Sequence, residues 1–153
     1  MIQCSPLRSV RTTGKGILFT TESRSIQACI SLGSAKASEV ILTLGSSKTV
    51  QEFLFAAKEK KKRSFRVFVA EGAPRYQGHL LAKELAGRGL QTALITDSAI
   101  FAMISQVIMV IVGAHAVMAN GGVIAPVGLN MVALAAQRHA VSFVVLAGSY
   151  KVT

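Results

Sequence analysis

The chain has 153 residues, a formal net charge of +10 and 51% hydrophobic residues. This length fits one domain with a sizeable core, and the composition, with 13 Gly and only 3 Pro, excludes a disordered chain. Residues 1–15 hold no apolar core of signal-peptide length, although their Ser, Thr and Arg leave a mitochondrial transit peptide open. Cys4 and Cys29 fit no zinc or disulfide pattern, so we expect a reducing, cytoplasmic location.

The predicted elements begin after an N-terminal segment that lacks a clear period. Residues 1–38 are predicted to be a poorly defined leader with at best a weak helix over 22–36, and residues 39–153 to be the folded domain. Short apolar runs predict strands over 40–44, 65–70, 90–96, 107–112 and 142–147. Helical spacing and capping residues predict helices over 46–62, 76–87, 97–105 and 129–139. This alternation predicts a Rossmann-like α/β fold, an open parallel sheet of about five or more strands with helices on both faces.

A long apolar stretch follows the third predicted strand, and residues 98–147 carry one formal charge. Residues 99–119 are long enough to cross a bilayer, but Gln106, Gly113 and His115 interrupt them. We therefore predict a buried strand between two turns and no membrane span.

Basic residues are concentrated in a run from Lys58 to Arg63. No aromatic residues are interleaved with them, which argues against direct nucleic-acid binding. We interpret the run as a solvated helix end whose cations face the negative end of the helix dipole. Contact with an acidic protein or RNA partner is the alternative.

Ligands of open parallel sheets bind beyond the carboxyl ends of the strands, near the point where the strand order reverses. Gly45-Ser46-Ser47 before a helix could present backbone N–H groups to a phosphate, but the signal is weak and we interpret these residues as plain helix capping. The sequence holds neither a phosphate-loop nor a dinucleotide fingerprint, so no cofactor is expected.

Few candidates for acid–base chemistry lie at these strand ends. Asp97 is predicted to cap the following helix, and Glu71 to bond the turn after it. His115 has no carboxylate near it in sequence and is interpreted as a structural histidine. The histidines at 79 and 139 are expected on helices, exposed or at an interface, and no metal-ligand spacing joins the three.

Several separated blocks together resemble one family. They are ILTLGSSKTVQEFL (41–54), VAEGAPRYQGH (69–79), TDSAIFAMIS (96–105), VGAHAVMANGG (112–122) and ALAAQRH (133–139). In this order they resemble the C-terminal domain of the regulatory subunits of eukaryotic translation initiation factor 2B, nearest to the beta type, with GAHA…ANG also similar to delta. The resemblance covers roughly residues 39–151, and it implies the same α/β fold.

The wider family includes sugar-phosphate aldose–ketose isomerases. This sequence differs from their pattern at the positions of the reactive residues. Those enzymes resemble the chain but carry a cysteine after the first strand and an aspartate after the fourth, where Gly45 and His115 stand here. Their Asn-Lys becomes Ala125-Pro126. The resemblance therefore implies a chain without catalytic residues that keeps at most a vestigial ligand pocket. Its expected residues are Gly45, Ser46, Ser47, Glu71, Asp97, Gly113, His115, Asn120 and Gly121.

The function that the resemblance implies is a regulatory or scaffold subunit of the guanine-nucleotide exchange factor for initiation factor 2. Its implied partners are the other exchange-factor subunits, a delta-type subunit first, and initiation factor 2 itself. The alternatives are a divergent sugar-phosphate isomerase using His115, Asp97 or Glu71, and a stand-alone nucleotide-binding module. Whether the isolated chain forms a homodimer stays open.

Overall fold

The computed structural model describes residues 9–13, 16–20, 39–61, 65–118 and 122–147. Its strands are β1 Ser9–Thr13, β2 Gly16–Thr20, β3 Val40–Leu44, β4 Arg66–Ala70, β5 Gln91–Ile95, β6 Met109–Gly113, β7 Ala116–Val117, β8 Val123–Ile124 and β9 Ser142–Ala147. Its helices are α1 Lys48–Lys61, α2 Gln77–Gly87, α3 Ile100–Met103 and α4 Leu129–Arg138.

Five strands form a parallel sheet in the order β9-β6-β3-β4-β5. The central strands consist mostly of Val, Ile and Leu, as expected for strands that are covered on both faces. The predicted fold class is confirmed, and the predictions over 40–44 and 142–147 match β3 and β9 residue for residue. The other predicted strands of this sheet differ from the observed ones by at most two residues at an end.

The strand order reverses between β3 and β6. From β3 the chain proceeds outward through β4 to β5, then returns so that β6 pairs with the other side of β3. Leu42 of β3 lies opposite Phe68 of β4 and Val110 of β6 in the register. The carboxyl ends of β3 and β6 therefore define the switch point of the sheet.

Helices cover both faces of the sheet. Successive residues of each strand point to opposite sides, and because the central strands are mostly apolar, both sides must be buried. On one face, Val50 and Leu54 of α1 and Leu81 and Leu85 of α2 are buried in the same core as Ile41. The core on the opposite face contains alternate strand residues, such as Leu42 and Leu44, together with Ile100, Leu129 and Val132 from the α3 and α4 side. The sheet is thus enclosed by two separate apolar cores.

Polar contacts tie α1 to α2. Lys58 Nζ donates to the carbonyl oxygen of Arg88 at 2.7 Å, and the Arg88 guanidinium carbon lies 4.2 Å from the centre of the Phe55 ring. Gln51 Nε2 also donates to Glu84 Oε2. Lys58 therefore faces the negative end of α2 rather than that of its own helix, which corrects the predicted role of this residue.

A hairpin of β1 and β2 pairs antiparallel with β9 and extends the sheet to seven strands. The interpretation of residues 1–38 as a leader did not anticipate it, because neither segment shows a clear hydrophobic period. A boundary at residue 38 leaves two strands of the sheet outside the predicted domain. The weak helix predicted over 22–36 lies outside the described residues.

The apolar stretch 99–119 is divided among short elements. The predicted helix 97–105 is split into two 3-10 turns, Asp97–Ala99 and Ile104–Gln106, with α3 between them. After β6 the chain forms the small β7–β8 sheet, which the sequence analysis did not predict. Among the helices of the described ranges, none is long and apolar enough to cross a membrane.

Candidate functional site

The switch point brings together two of the predicted site residues, Ser47 and Gly113. A Cβ atom placed on Gly113 at the end of β6 would lie 2.5 Å from Ser47 Oγ and 2.6 Å from Ser47 Cβ. A larger residue at position 113 would collide with the start of α1, so glycine permits this close approach. Beside them, Gly45 is buried with a φ of 69°, and Ser46 is exposed.

The end of β4 packs against the end of β3 through two glycines. A Cβ atom on Gly72 would lie 3.7 Å from Gly45 Cα, which is ordinary van der Waals contact. Gly72 has a φ of 69°, a left-handed conformation that glycine adopts without the strain of a side chain. The loops after β3, β4 and β6 therefore form one contiguous rim at the switch point.

Asp97 joins this rim from the end of β5. Its Oδ1 accepts a hydrogen bond from Gly72 N at 3.0 Å, and its Oδ2 accepts one from Ala73 N at 2.9 Å. The prediction that Asp97 caps its own helix is wrong. Thr96 occupies the N-cap position, where it makes no side-chain cap bond, while the Asp97 carboxylate reaches across to the loop after β4.

Glu71 contacts the start of α2. Its carboxylate Oε2 lies 3.8 Å from His79 Nε2, and its carbonyl oxygen accepts a hydrogen bond from Gly78 N at 3.1 Å. The ring of His79 meets that of Tyr76 edge-on, with centroids 5.9 Å apart. His79 is exposed, as predicted, with 53% of its side chain accessible. The carboxylate of Glu71 thus lies beside the His79 ring at the start of the next helix.

His115 lies where β6 gives way to β7. Its backbone N–H donates to Ile124 O at 2.8 Å, and Met118 N donates to Gly122 O at 2.8 Å across the same hairpin. The side chain of His115 is exposed. The predicted site residues Asn120 and Gly121 lie outside the described residues.

The chemistry available at this edge is limited by these contacts. At the switch point, Gly45 supplies no side chain and His115 is exposed, while the nearby Asp97 carboxylate already accepts two backbone hydrogen bonds. Within the ranges that the structure describes, no group of three His, Cys, Asp or Glu side chains could hold a metal ion.

Sequence reasoning missed the backbone N–H groups of Gly72 and Ala73 as binding groups. The glycine and the proline that follow Glu71 indicate a turn, but they do not say which side chain satisfies its amides.

The strand order and the convergence of loops at its reversal define a Rossmann-like, doubly wound α/β domain. The sequence over residues 16–153 matches the family described as the Initiation factor 2 subunit family. The chain belongs to that family, and the resemblance read from the sequence blocks is confirmed.

Several known proteins are similar to the chain. Translation initiation factor eIF2B subunit beta is 53% identical over 113 residues in Dictyostelium discoideum and 50% identical over 118 in Schizosaccharomyces pombe. These alignments cover 74% and 75% of the chain but only 29% of each relative, so the chain spans less than a third of their length.

An enzyme and a solved structure are similar as well. A ribose 1,5-bisphosphate isomerase of Archaeoglobus fulgidus is 39% identical over 111 residues, which are 72% of the chain and 35% of the enzyme. A crystal structure of the Pyrococcus horikoshii translation initiation factor eIF-2B has a TM-score of 0.69 and 32% identity. That comparison covers 78% of the chain and 43% of the solved one.

Proposed function

We propose that this chain is part of a non-catalytic regulatory or scaffold subunit of the guanine-nucleotide exchange factor for initiation factor 2. It acts in the cytoplasm, in translation initiation and its control. The 53% identity to a beta subunit supports the assignment. The observation that carries it against an enzyme is the pair at the switch point, Gly45 and His115, where the resemblance to isomerases implies a thiol and a carboxylate.

The isomerase alternative is favoured by the similarity to a ribose 1,5-bisphosphate isomerase, and the geometry argues against it. An aldose–ketose isomerisation needs an acid–base pair that moves protons between a carbonyl and its neighbouring carbon. Gly45 has no side chain, and a cysteine in its place would be strained at a φ of 69°. Both Asp97 oxygens accept backbone hydrogen bonds, and Glu71 faces His79. At the two positions that the resemblance assigns to the reactive groups of the isomerases, the rim therefore holds neither a thiol nor a carboxylate.

The composition of the outer surface of the α3 and α4 layer favours contact with a protein partner over exposure to solvent. Exposed apolar side chains are Phe101 of α3 at 44% and Leu134 of α4 at 53%, and, on the segment that leads into α4, Ile124 at 46% and Val127 at 74%. Between residues 98 and 147 the sequence has a single formal charge, Arg138. Depletion of charge together with exposed aromatic and aliphatic groups is typical of the central part of a protein interface. We assign this surface to a delta-type subunit, with initiation factor 2 as the partner of the assembled complex.

The predicted pocket residues keep a place in this proposal as the remains of a ligand site. Ser47, Gly113, Gly45 and Asp97 lie along one rim at the carboxyl edge of the sheet, where open parallel α/β sheets hold ligands in a crevice. We propose that this rim now shapes the loops of the domain.

Affinity purification of the full-length protein, tagged in its own cells, tests the assignment. Identification of a delta-type subunit and initiation factor 2 in the purified complex by mass spectrometry is the expected result. A second assay incubates the purified complex with ribose 1,5-bisphosphate or methylthioribose 1-phosphate and measures ketose. Turnover that His115→Ala abolishes, with no exchange-factor subunits recovered, would establish the isomerase instead.

A further inference from the structure

Two successive backbone amides after β4 point to the same carboxylate. Gly72 N lies 3.0 Å from Asp97 Oδ1, and Ala73 N lies 2.9 Å from Asp97 Oδ2. Neighbouring N–H groups on a turn that contains a left-handed residue form the concave donor pair by which protein backbones bind oxyanions. Gly72, with its φ of 69°, supplies that residue. The occupant comes from the end of the next strand, 25 residues further along the chain.

The two backbone N–H donors of the turn favour a negatively charged occupant. A carboxylate accepts both hydrogen bonds with equivalent oxygens, and charge-assisted bonds of this kind are stronger than neutral ones. An amide in the same place offers one acceptor oxygen and turns N–H donors toward the second backbone N–H. The pair therefore selects an oxyanion with two adjacent oxygens.

We propose that Gly72 and Ala73 form an oxyanion-binding turn that the chain fills with its own Asp97 carboxylate. The ligand class of the turn is a small oxyanion, such as a carboxylate or a phosphate. Asp97 acts as an intramolecular ligand and excludes free anions from the turn. This proposal does not depend on the function proposed above.

The Asp97 carboxylate in the turn also holds the following loop in position. Tyr76 N donates to Gly72 O at 2.9 Å, so the bound turn also fixes Tyr76, a residue with a left-handed φ of 51° and 51% exposure. Gly72 in turn lies beside Gly45 of the β3 loop, since a Cβ atom on Gly72 would be 3.7 Å from Gly45 Cα. Asp97 is a positioning residue that holds the β4 loop against the switch point.

The test is chemical rescue of Asp97→Gly by formate, with sodium chloride at equal ionic strength as the reference. Hydrogen–deuterium exchange of the Gly72 and Ala73 amides is measured together with the urea midpoint of the whole chain. We expect about tenfold faster exchange of both amides in Asp97→Gly, because their part-buried acceptor is lost. Formate is expected to restore protection of these two amides and raise the midpoint, with saturation, whereas chloride does neither.

Three controls separate binding at the turn from a general salt effect. The unaltered chain and Glu52→Ala, which removes an exposed carboxylate on α1, are expected to respond to formate as they do to chloride. Asp97→Asn keeps a side chain in the site, so faster exchange of Gly72 or Ala73 without formate rescue is expected. Inorganic phosphate is expected to leave both amides of the unaltered chain unchanged.

Equal effects of formate and chloride on Asp97→Gly would overturn the proposal, as would formate protection spread over unrelated amides. If Asp97→Gly folds in formate but not in chloride, the rescue itself supports the proposal. If it folds in neither, Asp97→Asn decides: unchanged protection of both amides refutes the oxyanion turn. None of these readouts involves subunit assembly, so their failure is distinct from failure of the proposed function.

Discussion

The two helical layers of this domain bury similar apolar cores but present different outer surfaces. The α1 and α2 layer carries exposed charged residues, including Glu52, Lys83 and Arg88, and its helices are joined by polar contacts. Leu80 is exposed on α2 as well, but with Lys83 and Glu84 on the same helix. The α3 and α4 layer is almost free of charge on its outer side.

This difference explains the apolar stretch that spans residues 98–147. One part of its hydrophobicity is core, exemplified by Ile111 and Leu129, which are fully or almost fully buried. The other part, exemplified by Leu134, faces outward on the same helix as Leu129. Hydropathy alone sums the two contributions, and burial separates them.

The largest expected effect tests whether the buried leucines of both helical layers stabilise the hydrophobic core. Leu54→Ala on α1 and Leu129→Ala on α4 are each expected to lower the free energy of unfolding by about 2–5 kcal/mol, because both side chains are buried. Urea unfolding measures the loss. Leu134→Ala, an exposed leucine on the same helix as Leu129, serves as the matched control and should cost about 0.5 kcal/mol or less. Equal losses of unfolding free energy for Leu129→Ala and Leu134→Ala would contradict the division of α4 into a buried and an exposed face.

The next effect concerns the uncharged surface. If the proposed interface is correct, Phe101→Ser combined with Leu134→Ser is expected to weaken binding of the proposed delta-type partner to the full-length protein at least about tenfold, because apolar contact area is lost. Isothermal titration calorimetry with the purified subunits gives the affinity. Leu80→Ser removes an exposed apolar group from the opposite layer, one that is 62% accessible, and should leave the affinity unchanged. If Leu80→Ser weakened binding as much, the interface would have to be placed on α2.

A smaller effect is expected for the contacts between α1 and α2. Arg88→Ala removes the cation above the Phe55 ring and should lower the free energy of unfolding by about 0.5–1 kcal/mol. Lys83→Ala removes an exposed cation from α2, the helix that Arg88 follows, and provides the comparison in the same urea experiment. A loss no greater than that of Lys83→Ala would show that this contact does not stabilise the layer.

The smallest effect is expected at the switch point. His115→Ala should change the free energy of unfolding by about 0.5 kcal/mol or less, because the side chain is exposed. Nucleotide exchange by the assembled factor should also be unaffected. A large loss of exchange with intact assembly would give His115 a functional role that the proposal denies.

The hydrophobic periods predicted most of the parallel sheet because buried parallel strands must be continuous apolar runs, as in β3 and β9. The β1–β2 hairpin was not predicted, because its own sequence shows no clear hydrophobic period. Its place in the sheet comes from the pairing of β2 with β9. The spatial grouping of the strand-end residues could be predicted only in part, and their role as a site stays a prediction. Ser47 and Gly113 were both chosen as strand-end residues, but the contact between them depends on β3 and β6 being neighbours.

By itself, the sequence determined the class of the fold, its alternating elements and its membership of a family, because these follow from local periodicity and from blocks of matching residues. The tertiary structure decided the partner of each polar group. Asp97 is a helix-cap candidate by position, yet its carboxylate bonds Gly72 and Ala73, which only the pairing of β4 with β5 brings within reach. Sequence spacing constrains neighbours along the chain, whereas hydrogen bonds are satisfied by neighbours in space.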